Sequence, residues 1–491
     1  MTTPHTDHNR SETSPAGPGT LDPAAVPPPG CPAHGLGTDG IRRLYGEEAE
    51  ADPTGLYEKL RAEHGAVAPV LLHGDLPAWL VLGHRENLTV MRTSSTFSRD
   101  SRRWKALQDG RIAADSPLLP MVGWQPLCVF ADGEEHKRLR GAVTDSLGRF
   151  DRRGVRRHVT RFADQLIDAF AADGRADLVS QFAEQLPMLV MTQLLGMPEE
   201  YGPRLVAAAR DLMKGTETAL ASNDFVVETL RQLLMRKAAE PSQDLTSWLM
   251  SHDAELSQDE VLEHLRLILV AANETTVNLI ANTLRMVLTD DRFRANLSGG
   301  HMTLPDALEQ VLWDEPPLAV VPGRWATGDT ELAGQQIKEG DMLLLALAAG
   351  NVDPQVRPDL TTPVHGNRSH LSFSSGPHEC PGQDLGRAIA DTGIDVLLTR
   401  LADVHLAVDE SGLSWTSAWL SRHLAELPVE FRPRTQAPRE RTGEIPAPTP
   451  QPAATAAPDT ATATVGPAPS GQTELPAPVA RRSWWRRLLG R

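Results

Sequence analysis

From Ser257 to Leu288 the chain carries neither proline nor glycine, although it holds 39 prolines and 38 glycines in 491 residues. Ser257 and Glu260 form an S-x-x-E capping box, which starts a helix. Apolar residues then recur at helical spacing through the stretch. At 1.5 Å per residue such a helix is roughly 50 Å long. That crosses a whole domain, so the other elements must pack around it.

The surroundings agree with one large, mostly helical domain. "GVRRHVTRFADQLIDAFAA", "FAEQLPMLVMTQLLG" and "VETLRQLLMRKAA" have helical period. "VAPVLLHG" and "PAWLVLG" flank Gly74-Asp75 as a hairpin would, and "ELAGQQIKEGDMLLLALAAGN" reads as short strands. The expected class is mainly α with a minor β part (α+β). Residues 1–30 are rich in Pro, Gly, Ser and Thr and read as disordered. Residues 31–433 form the domain, 434–478 a Pro/Ala-rich disordered linker, and 479–491 a basic amphipathic peptide. A net charge of −16 argues against general nucleic-acid binding. Three cysteines make no disulfide framework and fit a reducing cytoplasm. The first twenty residues show no signal-peptide core. The run Met342 to Gly350 is too short to span a bilayer.

One of those cysteines lies in "SFSSGPHECPGQDLGRAIA", Ser372 to Ala390. Gly376 and Gly382 permit tight backbone geometry around it. A helix reads from Gln383, and its positive end favours a thiolate at Cys380. A buried structural cysteine is the plain alternative. A zinc site from His365, His370, His378 and Cys380 is disfavoured, because the spacing matches no common module. The pattern F-x-x-G-x-x-x-C-x-G, formed by Phe373, Gly376, Cys380 and Gly382, should arise by chance in roughly 4 of 10,000 such chains.

That loop resembles the haem-thiolate loop of the cytochrome P-450 superfamily, and the resemblance extends from about Cys31 to Arg432. It implies the P-450 fold, a single large haem domain with a long central helix. It implies haem b (iron protoporphyrin IX), with Cys380 as the axial iron ligand whose electron donation favours O–O cleavage. His378 then meets a haem propionate. "AANETT", Ala271 to Thr276, is similar to the family's A-G-x-[DE]-T pattern over the distal haem face. Read alone, this stretch is equally a helix whose threonines bond back to the preceding turn. The resemblance makes Ala271 part of the haem face and Glu274 and Thr275 the acid–alcohol pair. Thr275 would hydrogen-bond dioxygen, and Glu274 would relay protons. Ala272 stands where the family often has Gly. "HKRLR" sets His136 and Arg140 on one helix face. The resemblance implies that both, with Arg324 of "GRWATGDTELAG", bind propionates.

The family's E-x-x-R motif breaks here. Registered on the turn Glu315-Pro316-Pro317, its Glu position falls on Gln310 and its Arg position on Trp313. Glu309 falls one residue early, with Leu312 as its would-be arginine. On this register the buried ion network is missing and Trp313 packs in place of the arginine, an exchange that is often neutral or better. "EQVLW" resembles an actinobacterial subgroup with the same gap. At the C-terminus, Trp484, Trp485, Leu488 and Leu489 share one helical face opposite Arg486 and Arg487, a pattern for a peripheral membrane surface or a protein partner.

The resemblance implies a cytoplasmic haem-thiolate monooxygenase, and the terminal peptide would place it peripherally at the inner face of the membrane. It would insert one oxygen atom from O₂ into a small apolar substrate, with electrons from a ferredoxin-type donor. The rival is a haem-binding protein without turnover, acting as a sensor or as a subunit of a membrane-proximal signalling assembly. A peroxide-driven enzyme ranks last, because the acid–alcohol pair is retained.

Overall fold

The computed structural model describes residues 40–434, apart from 114–115, 215–217, 291–292, 294–298, 300–301 and 365. The expected disordered head, the linker and the terminal peptide lie outside the described residues.

A six-stranded sheet opens the domain. It contains β1 (Arg42–Arg43), β2 (Val67–Leu72), β3 (Leu76–Val81) and β4 (Phe97–Ser98), with α1 (His84–Arg92) between β3 and β4. The expected hairpin forms between β2 and β3, and positive φ at Gly74 and Asp75 makes its turn. Helices follow: α2 (Gly133–Gly148), α3 (Arg152–Phe170), α4 (Leu186–Leu194), α5 (Gly202–Lys214), α6 (Ala219–Ala239), α7 (Gln258–Thr289) and α8 (Leu304–Asp314). β5 (Val320–Ala326) and β6 (Met342–Ala346) return to the sheet, giving the order β1-β2-β3-β6-β5-β4. The Cys380 loop then leads into α9 (Gln383–Arg400).

α7 is the expected long helix, and the Ser257–Glu260 capping box forms in full. Leu265, Ile280 and Leu284 are completely buried along it. It packs against α4, α6, α8 and α9, so one apolar core unites these helices with α2 and α3. Among the described residues it alone has the length and apolarity to cross a bilayer, and here it is the core axis.

The sheet is apolar on both faces, and the period of two sorts its side chains. Ala78, Leu80 and Leu344 enter one core; Trp79, Val81, Leu343 and Leu345 enter the other. Val67 to Leu72 is accordingly buried without a break. The stretch expected as short strands supplies Thr330–Leu332, Gln335–Ile337 and β6, but its end, Leu347–Asn351, turns helical. That turn presents Asn351, which is fully buried. Its Nδ2 donates to the Leu312 carbonyl at 3.0 Å, and its Oδ1 accepts from the Leu371 amide at 2.7 Å. One amide thus ties α8 to the segment that enters the cysteine loop.

β5 contains the irregularity that matters most to the site. Val321 pairs with Leu345 but Arg324 pairs with Leu343, so one extra residue sits on β5 at Pro322-Gly323. Such a bulge re-aims the next side chain. Gly323 has φ +89°, which a side-chain-bearing residue rarely adopts. Arg324 is thereby directed inward and is 3% exposed.

Asn351→Ala would leave the buried Leu371 amide without an acceptor. It should cost about 1–3 kcal/mol in a denaturant melt. A loss within about half a kcal/mol would show that the bridge carries no load.

Candidate functional site

The cysteine loop is closed by its own backbone. The Cys380 amide donates to the Phe373 carbonyl at 2.8 Å. Between them Ser374 has φ 62° and Gly376 φ 71°. A Cβ on Gly376 would lie 2.9 Å from the Met91 carbonyl oxygen, so only glycine allows the loop to lie against α1. Gly382 caps α9, and its backbone points at the sulfur. Cys380 therefore does sit at a helix N-terminus. Burial raises its thiol pKa, while the Gly382 amide, Arg140 and Arg387 pull the other way. A metal at the sulfur would deprotonate it outright.

Above the loop lies a buried basic cradle. The rings of His136 on α2 and His378 are 4.2 Å apart; His136 Nε2 is buried without a hydrogen-bond partner, and His378 Nε2 has Asp132 Oδ1 at 3.5 Å. Burial lowers the His378 pKa to about 3, with Arg324, Arg99 and His136 adding to the effect against the hydrogen bond to Asp132. Arg324 makes one long bond, 3.3 Å to the Gly323 carbonyl, and burial lowers its pKa. Arg99 was not singled out in the sequence. It donates to Val129, Pro322 and Gly323 carbonyls, the last two in the β5 bulge, and burial lowers its pKa to about 10. The carboxylate facing this set is Asp132, which bonds Ser98 and the Arg99 amide. Two buried arginines against one carboxylate, which His378 shares, with the His136 Nε2 left unpaired beside them, call for added anions. The two propionates of a haem fit that requirement. Arg140 shares the His136 face as expected, but its guanidinium donates to the Glu379 carbonyl of the loop.

The central helix faces the same region. Ala271 is exposed, and Val270 is 49% exposed. Thr275 Oγ1 donates to the Ala271 carbonyl at 2.7 Å, the back-bonding geometry that the sequence allowed. With its proton so engaged, the hydroxyl offers lone pairs, so toward a ligand it is an acceptor. That differs from the expected donation to dioxygen. Burial raises the Glu274 carboxyl above its ordinary pKa. α9 reaches this helix where Gly386 stands: a Cβ there would lie 3.8 Å from Thr276 Oγ1. The cysteine helix therefore packs on α7 at Thr276, the residue after Thr275.

The structure corrects the register of the E-x-x-R segment. Gln310 does not occupy the buried acidic position. It lies at the margin, bonding Asp314 and the Val364 amide. Glu309 occupies it, with its side chain 4% exposed. Arg387 of α9 reaches Glu309 at 2.6 and 3.2 Å, His370 at 3.0 Å, and Arg368 at 3.4 Å. His370 Nδ1 accepts the Ser372 amide, so the proton sits on Nε2 and is donated to Glu309. Burial would raise the Glu309 pKa; the His370 and Arg387 hydrogen bonds and the Arg387 charge override it and hold the carboxyl at about 2. The ion network is therefore present, with its cation moved from α8 to α9. Anchoring on the Pro-Pro turn displaces the helix by one residue, which rotates each side chain by about 100°. Trp313 is fully buried, as expected, but beside that network and not in its stead. Its Nε1 donates to Asn367, and it stacks on His84 and meets His370 edge-on.

With this geometry in place, known proteins can be compared. No family model matches the chain. It is 31% identical over 400 residues to 2-hydroxy-5-methyl-1-naphthoate 7-hydroxylase of Streptomyces carzinostaticus, covering 79% of this chain and 97% of that protein. It is 31% identical over 409 residues to the cytochrome P450 monooxygenase PikC of Streptomyces venezuelae, covering 81% and 95%. The solved structure of testosterone-bound CYP154C4 from Streptomyces sp. ATCC 11861 superposes with a TM-score of 0.72 at 28% identity, covering 80% and 98%. The fold and the thiolate loop define a haem-thiolate oxidoreductase. The chain belongs to the cytochrome P450 family, and its relatives are bacterial monooxygenases.

Leu312, 1% exposed, stands at the motif's arginine position. Restoring the motif by Leu312→Arg should destabilise the protein by about 3–5 kcal/mol, because Glu309 is already satisfied and the new cation is buried unpaired. Equal or greater stability in chemical denaturation would show that the cluster had room for it. Trp313→Ala should cost about 3–5 kcal/mol in the same assay, against about half a kcal/mol for an exposed residue. It should also convert thiolate-ligated to thiol-ligated haem in the reduced carbon monoxide spectrum.

Proposed function

We propose that this P450 inserts one atom of O₂ into a small, largely apolar organic molecule, using haem b ligated by Cys380 and electrons from a separate ferredoxin-type protein. The observation that carries this reading is the meeting of the Cys380 helix with the Glu274–Thr275 segment at Gly386 and Thr276. A ligand loop alone would suit a sensor; a buried carboxyl and a back-bonded hydroxyl beside it suit oxygen activation. Haem supplies the redox chemistry when bound. Phe373, Gly376 and Gly382 hold the sulfur loop, and His136, His378 and Arg324, joined by Arg99, take the propionates. Arg140 fastens the loop to α2, Ala271 lines the reacting face, Thr275 orients a donor with its lone pairs, and Glu274 holds a proton.

The apolar substrate class is supported by the exposed apolar Val270 and Ala271 of the central helix and by relatives such as a vitamin D(3) 25-hydroxylase of Pseudonocardia autotrophica. A separate donor is supported by the cysteine count: with Cys380 on the haem two cysteines remain, fewer than the four of a ferredoxin-type cluster. A cytoplasmic setting with peripheral attachment through Trp484, Trp485, Leu488 and Leu489 rests on sequence alone.

The test is spectral and then catalytic. Cys380→Ser should abolish the red-shifted Soret band of the reduced carbon monoxide complex; a retained band would overturn the assignment. Thr275→Ala should keep that band but divert electrons from product to peroxide, lowering product per NADH by about tenfold or more. Unchanged coupling in Thr275→Ala would favour the sensor reading.

A further inference from the structure

Toward the N-terminal end of α7, His264 makes two hydrogen bonds that fix its protonation. The residue is completely buried. Its Nδ1 lies 2.6 Å from the Glu260 carbonyl, which can only accept, so Nδ1 bears the proton. The Cys128 amide, which can only donate, lies 3.1 Å from Nε2, so Nε2 offers its lone pair. The ring is therefore neutral and held in one tautomer. Cys128 opens a short helical turn, Cys128–Phe130, that leads into α2. Arg266, also on α7, donates to the Gln125 side chain just upstream, so this part of the chain is tied to α7 at two points. The stretch beyond Cys128 delivers much of the cradle. Arg99 Nε donates to the Val129 carbonyl at 2.8 Å, and the Arg99 amide donates to Asp132 at 3.0 Å. Asp132 also faces His378 at 3.5 Å, and His136 follows near the start of α2.

A buried amide without an acceptor is costly, so the turn stays where His264 holds it. We infer that His264 is a positioning residue for the propionate cradle, fixing the Cys128–Asp132 stretch against the central helix, and that protonation of its Nε2 lets that stretch go. The inference rests on the haem reading above. A second proton can enter the ring only at Nε2, where it sets N–H against N–H and abolishes the bond to Cys128. The charged groups that reach the ring are Glu260 of α7 and Arg138 of α2, which pair with each other. Burial is the largest influence and lowers the His264 pKa below its ordinary 6.5; the Arg138 charge adds to this, and the carbonyl and charge of Glu260 oppose it. Burial pushes the neighbouring Cys128 thiol up to about 11, so it stays neutral and supplies no counter-ion. The folded ring is thus harder to protonate than the unfolded one. Its hold is fully present above about pH 6.5 and is lost as pH falls through the folded value.

The rate of haem loss tests this. In the haem-loaded enzyme, transfer of haem to an excess of apoglobin gives the off-rate as a function of pH. His264→Gln keeps a side-chain oxygen for the Cys128 amide and an N–H for the Glu260 carbonyl, and it does not titrate. Wild type should hold haem evenly above neutral pH and lose it about tenfold faster once the ring is protonated. His264→Gln should match wild type within about twofold at about pH 7.5 and should lack that acid rise. His264→Leu leaves the Cys128 amide unpaired and should lose haem about tenfold faster already at about pH 7.5. Each haem-loaded variant should keep the thiolate band of the reduced carbon monoxide complex. An acid rise of wild-type size in His264→Gln overturns the inference, because His136, His378 or the propionates would then be its source. Wild-type haem retention in His264→Leu overturns it as well. Should His264→Leu fail to fold, the comparison of wild type with His264→Gln decides alone. Failure of the haem reading looks different: wild type itself would then show no thiolate carbon monoxide band at any pH.

Discussion

A cysteine loop keeps its sulfur in one place only if it cannot relax, and here the Glu309–Arg387 ion pair braces it. Arg387 lies 4.3 Å from the Phe373 ring. The Phe373 carbonyl receives the Cys380 amide, so the cation presses on the residue that closes the loop. Glu309 anchors Arg387 from α8, and Asn351 ties α8 to the same loop through Leu312 and Leu371. Sheet, α8 and α9 are thereby joined within a few hydrogen bonds of the sulfur. Loop geometry, central-helix position and cradle all inherit their precision from that joint.

The cradle imposes the opposite demand. Arg99 and Arg324 are held next to each other inside the protein by a β-bulge whose carbonyls one of them binds. Without added anions this is an expensive arrangement. Anything that binds the folded chain and supplies those anions stabilises it by mass action, so cofactor loading and folding are coupled in this region. An overall charge of −16 conceals the feature, because the positive charge is local and turned inward.

What the sequence discloses follows from how local each interaction is. The capping box at Ser257, the hairpin at Gly74-Asp75 and the Cys380 loop are short-range patterns, and all three form. The sequence allows Thr275 to be back-bonded or reactive, and its hydroxyl is back-bonded to the Ala271 carbonyl. Arg99 left no trace, because its partners are backbone carbonyls 30 residues or more away. Arg387 was in plain view, seven residues after the cysteine, but nothing local says that it turns toward α8. Glu309 was misplaced because a proline turn constrains the chain after a helix, not the rotation of the helix before it. The register is fixed instead by Val311, Leu312 and Trp313, all buried, and by Gln310 at the edge.

Moving the cation from α8 to α9 changes more than the address of a charge. An arginine on the same helix as Glu309 would stabilise α8 and reach the cysteine loop only through further partners. An arginine on α9 lies on the helix that the loop itself begins, so the ion pair spans directly from scaffold to ligand. The position given up on α8 becomes Leu312, whose side chain joins the main apolar core while its carbonyl takes bonds from Asn351 and Ser372. Trp313 then fills the other side of α8, between His84 and His370, and Arg357 covers its ring at 5.5 Å. The family's ion network is thus redistributed: the charge acts closer to the sulfur, and apolar packing holds what the motif arginine would have held.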